Sequence, residues 1–196
     1  MKEIIFASHN KGKIKEIKEI LEPLKISVLS ADELSLPEVE ETGTTFEENA
    51  ILKASTIAKL KNIPCLADDS GLCVDSLGGR PGVYSARYAP NRDFDKGMDM
   101  LLAEMQNSPD PSRKAHFSCV LAFCFPDGRN ICFEGRVNGS IALQKSGASG
   151  FGFDPVFIPD GYNLTFAELG SNVKNKISHR GLALKKFVEY LKQKGS

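Results

Sequence analysis

Ala67-Asp68-Asp69-Ser70-Gly71 closes the apolar run from Ile63 to Ala67 with two adjacent carboxylates. Charges set at the end of a run that reads as a buried strand are costly unless something binds them. Oxygen ligands of this kind suit Mg²⁺, which keeps several waters and is held by one or two carboxylates together with the phosphates of a substrate. Adjacent residues on a strand point to opposite faces. Asp68 and Asp69 can therefore serve one metal together only if the chain bends here, so Ser70-Gly71 is expected to turn the chain at a strand end. The same residues also compose an ordinary surface turn, and the rest of the chain has to decide between the two.

The chain has 196 residues, 41% hydrophobic and 26% charged, enough for one substantial core or two closely joined lobes without a linker. Lys+Arg 25 against Asp+Glu 25 leaves no net charge, and hence no bulk basic field for nucleic acid or an anionic membrane. Any phosphate site must be local. No apolar run approaches the roughly 20 residues of a membrane span, and Met1-Lys2-Glu3 with the short run after it lacks a signal-peptide pattern. A cytoplasmic protein with no membrane partner is the expectation. Cys65, Cys73, Cys119, Cys124 and Cys132 form no close C-x-x-C pair, so they read as buried free thiols rather than a disulfide framework or a zinc site.

Upstream of the paired aspartates, Glu3 to Ala7 reads as a strand, followed by Ser8-His9-Asn10-Lys11-Gly12-Lys13 and a helix whose inner stripe is Ile14, Ile17, Leu21 and Leu24. Lys15, Glu16, Lys18 and Glu19 are assigned to its outer face. A strand, a small polar loop and a helix N-terminus make an anion site, so Ser8, Asn10 and Lys13 are candidates for phosphate oxygens. Ile26 to Leu29 suggests a second strand. The segment Glu33–Glu41 that follows is acidic and broken by proline. Thr44 with Glu47, or Thr45 with Glu48, forms a capping box opening a helix to about Leu60, with Lys53 among small residues inside it. Glu38, Glu40 and Glu41 crowd before that helix, and the sequence leaves open which of them meets a metal, with Glu41 favoured because it immediately precedes the helix-opening turn.

Downstream, Leu72 to Val74 can resume the sheet before the glycine-rich Gly78-Gly79-Arg80-Pro81-Gly82, and Arg87 then stands between Tyr84 and Tyr88, where it could pack on a substrate or a partner subunit. Asp95 to Gln106 reads as a helix with its methionines in the core. Ala115 to Phe125 and Asn130 to Val137 flank Pro126-Asp127-Gly128 as a β-hairpin, with a further strand over Ser140–Leu143. Gly150-Phe151-Gly152-Phe153-Asp154 alternates glycine with aromatics as a ligand loop would, although either phenylalanine could equally fill the core. Lys174, Lys176, Ser178, His179 and Arg180 precede a last helix with Leu184, Phe187, Val188 and Leu191 inward. Cations in its first turn oppose the helix dipole, which calls for an anionic or carbonyl partner.

Taken together, Ser8-His9-Asn10 with Lys13, Glu41 to Ala50, Ala67 to Gly71, Gly78 to Gly82, Phe151 to Pro155 and Ile177 to Arg180 resemble the inosine triphosphate pyrophosphatase family, the house-cleaning nucleoside triphosphate pyrophosphatases. The resemblance implies an α/β fold: an elongated mixed β-sheet with flanking helices and two lobes around a central substrate cleft, usually as a homodimer. It implies Mg²⁺-dependent hydrolysis of ITP, dITP and XTP to the monophosphate and pyrophosphate. On this basis Asp69 matches the proton acceptor, with Glu41, Asp68 and Asp69 around the metal. Ser8, His9, Asn10, Lys11, Gly12, Lys13, Lys53 and Lys174 match phosphate contacts, and Ser70, Phe151, Gly152, Phe153, Asp154, His179 and Arg180 nucleoside contacts. Arg180, a donor-only group, would donate to the 6-oxo group of a purine and disfavour adenine, which presents an amino group there. His9 departs from the glycine that many members carry. The rival readings are a nucleotide-binding module without catalysis and a related pyrophosphatase for modified pyrimidine or methylated nucleotides.

Overall fold

Ile4, Ile5 and Phe6 are buried in succession along β1 (Glu3–Phe6), as a strand covered on both faces requires. In the computed structural model, which describes residues 3–194, the sheet runs in the order β2 (Ser27–Ser30), β1, β3 (Cys65–Val74), β4 (Lys114–Cys124), β5 (Asn130–Ile141), β6 (Phe157–Pro159). β1 is parallel to both β2 and β3, while β5 and β6 are antiparallel. The sheet is therefore mixed and the fold α/β. The helices are α1 (Lys11–Leu21), α2 (Phe46–Lys61), α3 (Phe94–Gln106), α4 (Phe166–Ile177) and α5 (His179–Lys194). The chain forms two compact units, each with its own core.

The first unit comprises the chain up to Asp69, Cys119–Gly135 and the segment from Arg180. Strand alternation divides its core. Ile4, Phe6, Leu66, Cys119, Leu121 and Phe123 pack with Ile17 and Leu21 of α1 and with Leu184 and Phe187 of α5. Ile5, Cys65, Ala67, Val120, Ala122 and Cys124 pack with Ala50, Ala54, Ile57 and Ala58 of α2. Helices thus cover both faces. Asn10 caps α1 by accepting from the Lys13 N–H at 3.1 Å, and α1 ends at Leu21. Leu24, expected on the inner stripe, falls in a 3₁₀ turn after Pro23 and is 44% exposed. α2 opens with the capping box of Thr45 and Glu48 and stops where Asn62 takes a left-handed φ of 56°. β4 and β5 are joined as expected by a tight turn, with the Phe125 N–H donating to the Arg129 carbonyl at 2.8 Å.

The second unit comprises Ser70–Ser118 and Arg136–His179. Its core gathers Leu72, Val74, Met98, Leu101, Phe117, Ile141, Phe153, Phe157 and Phe166. Two expectations are corrected, and one helix is new. Ser70-Gly71 does not turn the chain: β3 continues to Val74 as one ten-residue strand, and Gly71 is required because a Cβ there would stand 2.2 Å from the Gly82 carbonyl oxygen. Ser140-Ile141 ends β5 instead of starting a strand, and β6 lies further on. α4 was not anticipated, although Thr165 and Glu168 cap it with the pattern that marked α2.

Candidate active site

The alternation of β3 fixes what its two aspartates can do. Asp68 falls on the face of Leu66, towards α1 and α5, and Asp69 on the face of Ala67, towards α2. The expected bend that would have turned both carboxylates to one metal does not occur, so the pair is split between two settings, both inside the first unit.

On the α1 and α5 side Asp68 is 1% exposed, and a carboxylate so placed must be paired. Lys13 Nζ lies 3.1 Å from its Oδ1, while Arg180 donates to Oδ2 from Nε at 3.1 Å and from Nη2 at 3.0 Å. The third arm of Arg180, Nη1, donates to Glu16. Burial alone would raise the Asp68 pKa, but the charges of Lys13, Arg180 and Lys53 outweigh it and hold the carboxyl below the usual range. Glu16 was assigned to the outer face of α1 and is instead buried at 7%. It follows Lys13 by three residues and so shares a helical stripe with it. Arg180, expected to read a base, is 1% exposed and engaged by two carboxylates. That partnership answers the dipole conflict at the start of α5.

On the α2 side Asp69 is 4% exposed and accepts from Asn49 Nδ2 at 2.9 Å. Lys53, one turn further along α2, ion-pairs with Glu41 at 2.5 Å. Burial raises the Asp69 pKa, Lys13 and Lys53 oppose the rise, and Glu41 adds to it. Burial would lower the Lys53 pKa, but Asp68, Asp69 and Glu41 together raise it. Glu41, Asp69 and the Lys53 ammonium thus form one electrostatic group. Among the described residues no three His, Cys, Asp or Glu side chains make a metal cage. Two carboxylates on one side of a strand fit Mg²⁺, whose remaining sites go to water and phosphate.

The loop before α1 has its polar groups engaged in its own geometry. Ser8 Oγ accepts from the Asn10 N–H at 3.2 Å and Asn10 caps the helix. Lys11 and Gly12 are its first helical residues, and their N–H groups belong to a helix terminus. His9 pairs with Asp32 at 2.6 Å, and it is not among the residues with positive φ, so histidine is unstrained where glycine is common in the resembling family.

The other expected residues lie in the second unit, where Ser70 continues β3 half-buried. Phe153 is 2% exposed and meets Phe94 edge-on at 5.7 Å, so its ring belongs to the core. Phe151 stays partly exposed, with Lys174 Nζ 4.4 Å from its ring centre. Asp154, expected to accept from a sugar or base, instead braces its own loop: Oδ2 accepts from the Phe151 N–H at 2.8 Å and from Lys174 at 2.5 Å. Gly150 and Gly152, with φ of 80° and 66°, permit this turn. His179 stacks on Phe117 with centroids 4.7 Å apart. Asn49 and Glu16 were missed as site residues, since each partner lies far along the chain and local periodicity carries no trace of it.

Comparison with known proteins bears out the resemblance. A profile described as the Ham1 family matches residues 4–190. The dITP/XTP pyrophosphatase of Bacillus subtilis is 51% identical over 193 residues, covering 97% of this chain and 98% of that protein. That of Zymomonas mobilis is 46% identical over 187 residues, covering 94% and 90%. A solved Ham1 protein from Coxiella burnetii superposes with a TM-score of 0.90 at 40% identity over 98% of this chain and all of that one. A Staphylococcus aureus Ham1 protein gives 0.86 at 42% identity, with the same coverage. With a family profile matched over residues 4–190 and likeness to its relatives along nearly its whole length, the chain belongs to the Ham1 family.

Proposed function

We propose that the protein hydrolyses ITP, dITP and XTP with Mg²⁺ as cofactor, releasing the nucleoside monophosphate and pyrophosphate. The observation that carries the reading is the split of Asp68 and Asp69 across β3: one carboxylate pairs with Lys13 and Arg180, and the other stands with Glu41 under the charges of Lys13 and Lys53. The substrate class comes from relatives named dITP/XTP pyrophosphatase. Glu41 and Asp69 are the residues proposed to hold the metal, with Asp68 an anchor for Lys13 instead of a ligand. Bound there, Mg²⁺ would supply charge compensation on the triphosphate.

Asp69 orients a water and takes its proton as the water oxygen bonds to the α-phosphorus. The Pα–O bond to the β-phosphate breaks, and its electron pair leaves with pyrophosphate. Lys13 and Lys53 offset charge as it builds, and the N-terminal N–H groups of α1 add donors of the same sign. For the second unit, the resemblance gives Phe151 and His179 as nucleoside contacts and Lys174 as a phosphate contact. The five cysteines are all free thiols, which suits a cytoplasmic setting, and no described helix is long and apolar enough to cross a membrane. A homodimer is also part of this reading, supported by the 57% exposed Tyr84 with Arg87 stacked on its ring at 5.2 Å.

The test is turnover of ITP, with pyrophosphate measured directly in a coupled assay. Wild type should release monophosphate and pyrophosphate in equal amounts, and Asp69→Asn should fold normally and lose on the order of 10²-fold or more in kcat, as for loss of a general base. Orthophosphate as first product, or normal turnover by Asp69→Asn, would overturn the assignment. Binding of ITP without turnover by wild type would favour a sequestering module.

A further inference from the structure

Among the described residues Asn49 is a fully buried carboxamide that touches the centre, and both its ends are engaged. Nδ2 donates to Asp69 Oδ2 at 2.9 Å, and Oδ1 accepts from the Gly43 N–H at 2.8 Å. The two bonds fix the orientation of the amide, because a carboxylate oxygen only accepts and a backbone N–H only donates. Asn49 is the fourth residue of α2, and its own N–H donates to the Thr45 carbonyl at 3.2 Å inside the turn that the capping box secures. The cap therefore aims the side chain at β3. Gly43 is packed so tightly here that a Cβ would stand 2.7 Å from Asn49 Oδ1, so the chain just after Glu41 is seated directly on the amide.

We propose that Asn49 is the positioning residue of this centre: one amide holds the plane of the Asp69 carboxylate and, through Gly43, the segment that carries Glu41. It sets the relative placement of the two carboxylates that the preceding reading gives to metal and water, and it rests on that reading. Asn49 does not touch the substrate. Partners that orient metal ligands in this way typically lose on the order of 10–100-fold in metal affinity or activity when removed.

Two variants separate positioning from simple stability. Asn49→Asp is close to the same shape and keeps an acceptor for Gly43, but it presents an oxygen to Asp69 in place of the donor. Asn49→Leu removes both bonds while keeping the site filled. Each would be assayed against wild type for kcat and KM with ITP, for melting temperature, and for binding of Mn²⁺ alone by titration calorimetry. Expected for both variants is a kcat lower by on the order of 10–100-fold with KM within about threefold, and for Asn49→Leu a Mn²⁺ affinity weakened by a similar factor. Wild-type kcat in Asn49→Asp would overturn the proposal. So would a lower melting temperature in Asn49→Leu with kcat and Mn²⁺ affinity unchanged, because the amide would then serve the fold alone. If wild type itself releases no pyrophosphate, the functional reading fails, while Mn²⁺ binding still reports whether Asn49 sets the carboxylates.

Discussion

Arg180 joins residues that the sequence keeps far apart: its guanidinium binds Asp68 on β3 and Glu16 on α1, and none of the three is more than 7% exposed. Truncating one partner of a buried charge cluster strands the others, at a cost of about 3–5 kcal/mol. Arg180→Ala should therefore lower the unfolding free energy by about that amount in urea titration. A loss under about 1 kcal/mol, the scale of an exposed pair, would show that water compensates Asp68 and Glu16. The variant accordingly measures stability before it measures base preference, and activity comparisons on it need the folded fraction held constant. That Asp68 and Asp69 are buried carboxylates in need of partners was legible, because two acids after an apolar run are conspicuous. Glu16 was not legible, since a lysine-and-glutamate-rich helix reads as solvated until a cation 164 residues away reaches it. For Phe153 and Asp154 the sequence left both readings open, since a loop of glycines and aromatics looks the same whether its groups face a ligand or each other.

At the scale of elements, the hairpin, the first turn of α2 and the stripe of α1 as far as Leu21 could be read because their determinants are local: a turn sequence, a capping box and a helical period. β3 could not. Asp-Asp-Ser-Gly is turn chemistry by propensity, yet the strand runs straight through it. Helices cover its faces within the first unit, both aspartates have partners there, and Gly71 allows Gly82 to approach further on. Tertiary pairing overrides local preference in such a strand. The element-scale prediction concerns that approach. In Gly71→Ala the new Cβ would meet the Gly82 carbonyl oxygen at 2.2 Å and Ser85 Oγ at 2.6 Å, and the hydroxyl is itself held by the Leu72 N–H at 2.9 Å. Backbone on one side and a bonded hydroxyl on the other leave little room to relax. The substitution should cost about 1–3 kcal/mol, as overpacking does. Thermal unfolding reads it, and an unchanged melting temperature would mean that the Gly82 turn moves freely away from β3.

Over the whole molecule, the carboxyl and thiol shifts predict a stability plateau with two falling limbs. On the acid side Glu33 is held down to about 2 by the Ser30 N–H, the Ser30 hydroxyl and Lys18. Backbone and side-chain donors at turns and helix starts likewise lower Glu48, Asp93, Asp127 and Glu168, and charge pairing lowers Asp68. A folded pKa below the unfolded one means that the unfolded chain binds more protons, so stability rises with pH through the window between them. These contributions are complete above the ordinary 4.5 of glutamate and are lost as pH falls below it, that of Glu33 as pH falls towards 2. Asp69, whose pKa burial raises, works in the opposite direction, and it is one group against six. On the alkaline side burial pushes Cys65 from 9.0 up to about 12, and Cys124 and Cys132 up to about 11. There the folded protein binds more protons, so stability is full below pH 9 and is lost as pH rises through 11 to 12. Melting temperatures measured from pH 2 to 11 should therefore be highest between about 6.5 and 8.5, where His116 is neutral in both states, and fall on both sides. Cys65→Val, which removes the most strongly shifted of these three thiols while keeping an apolar side chain, should shallow the alkaline limb and leave the acid limb unchanged. If both limbs shift together, the thiol is not the group titrating on the alkaline side, and the variant has altered packing around Ile5 and Ala67 instead.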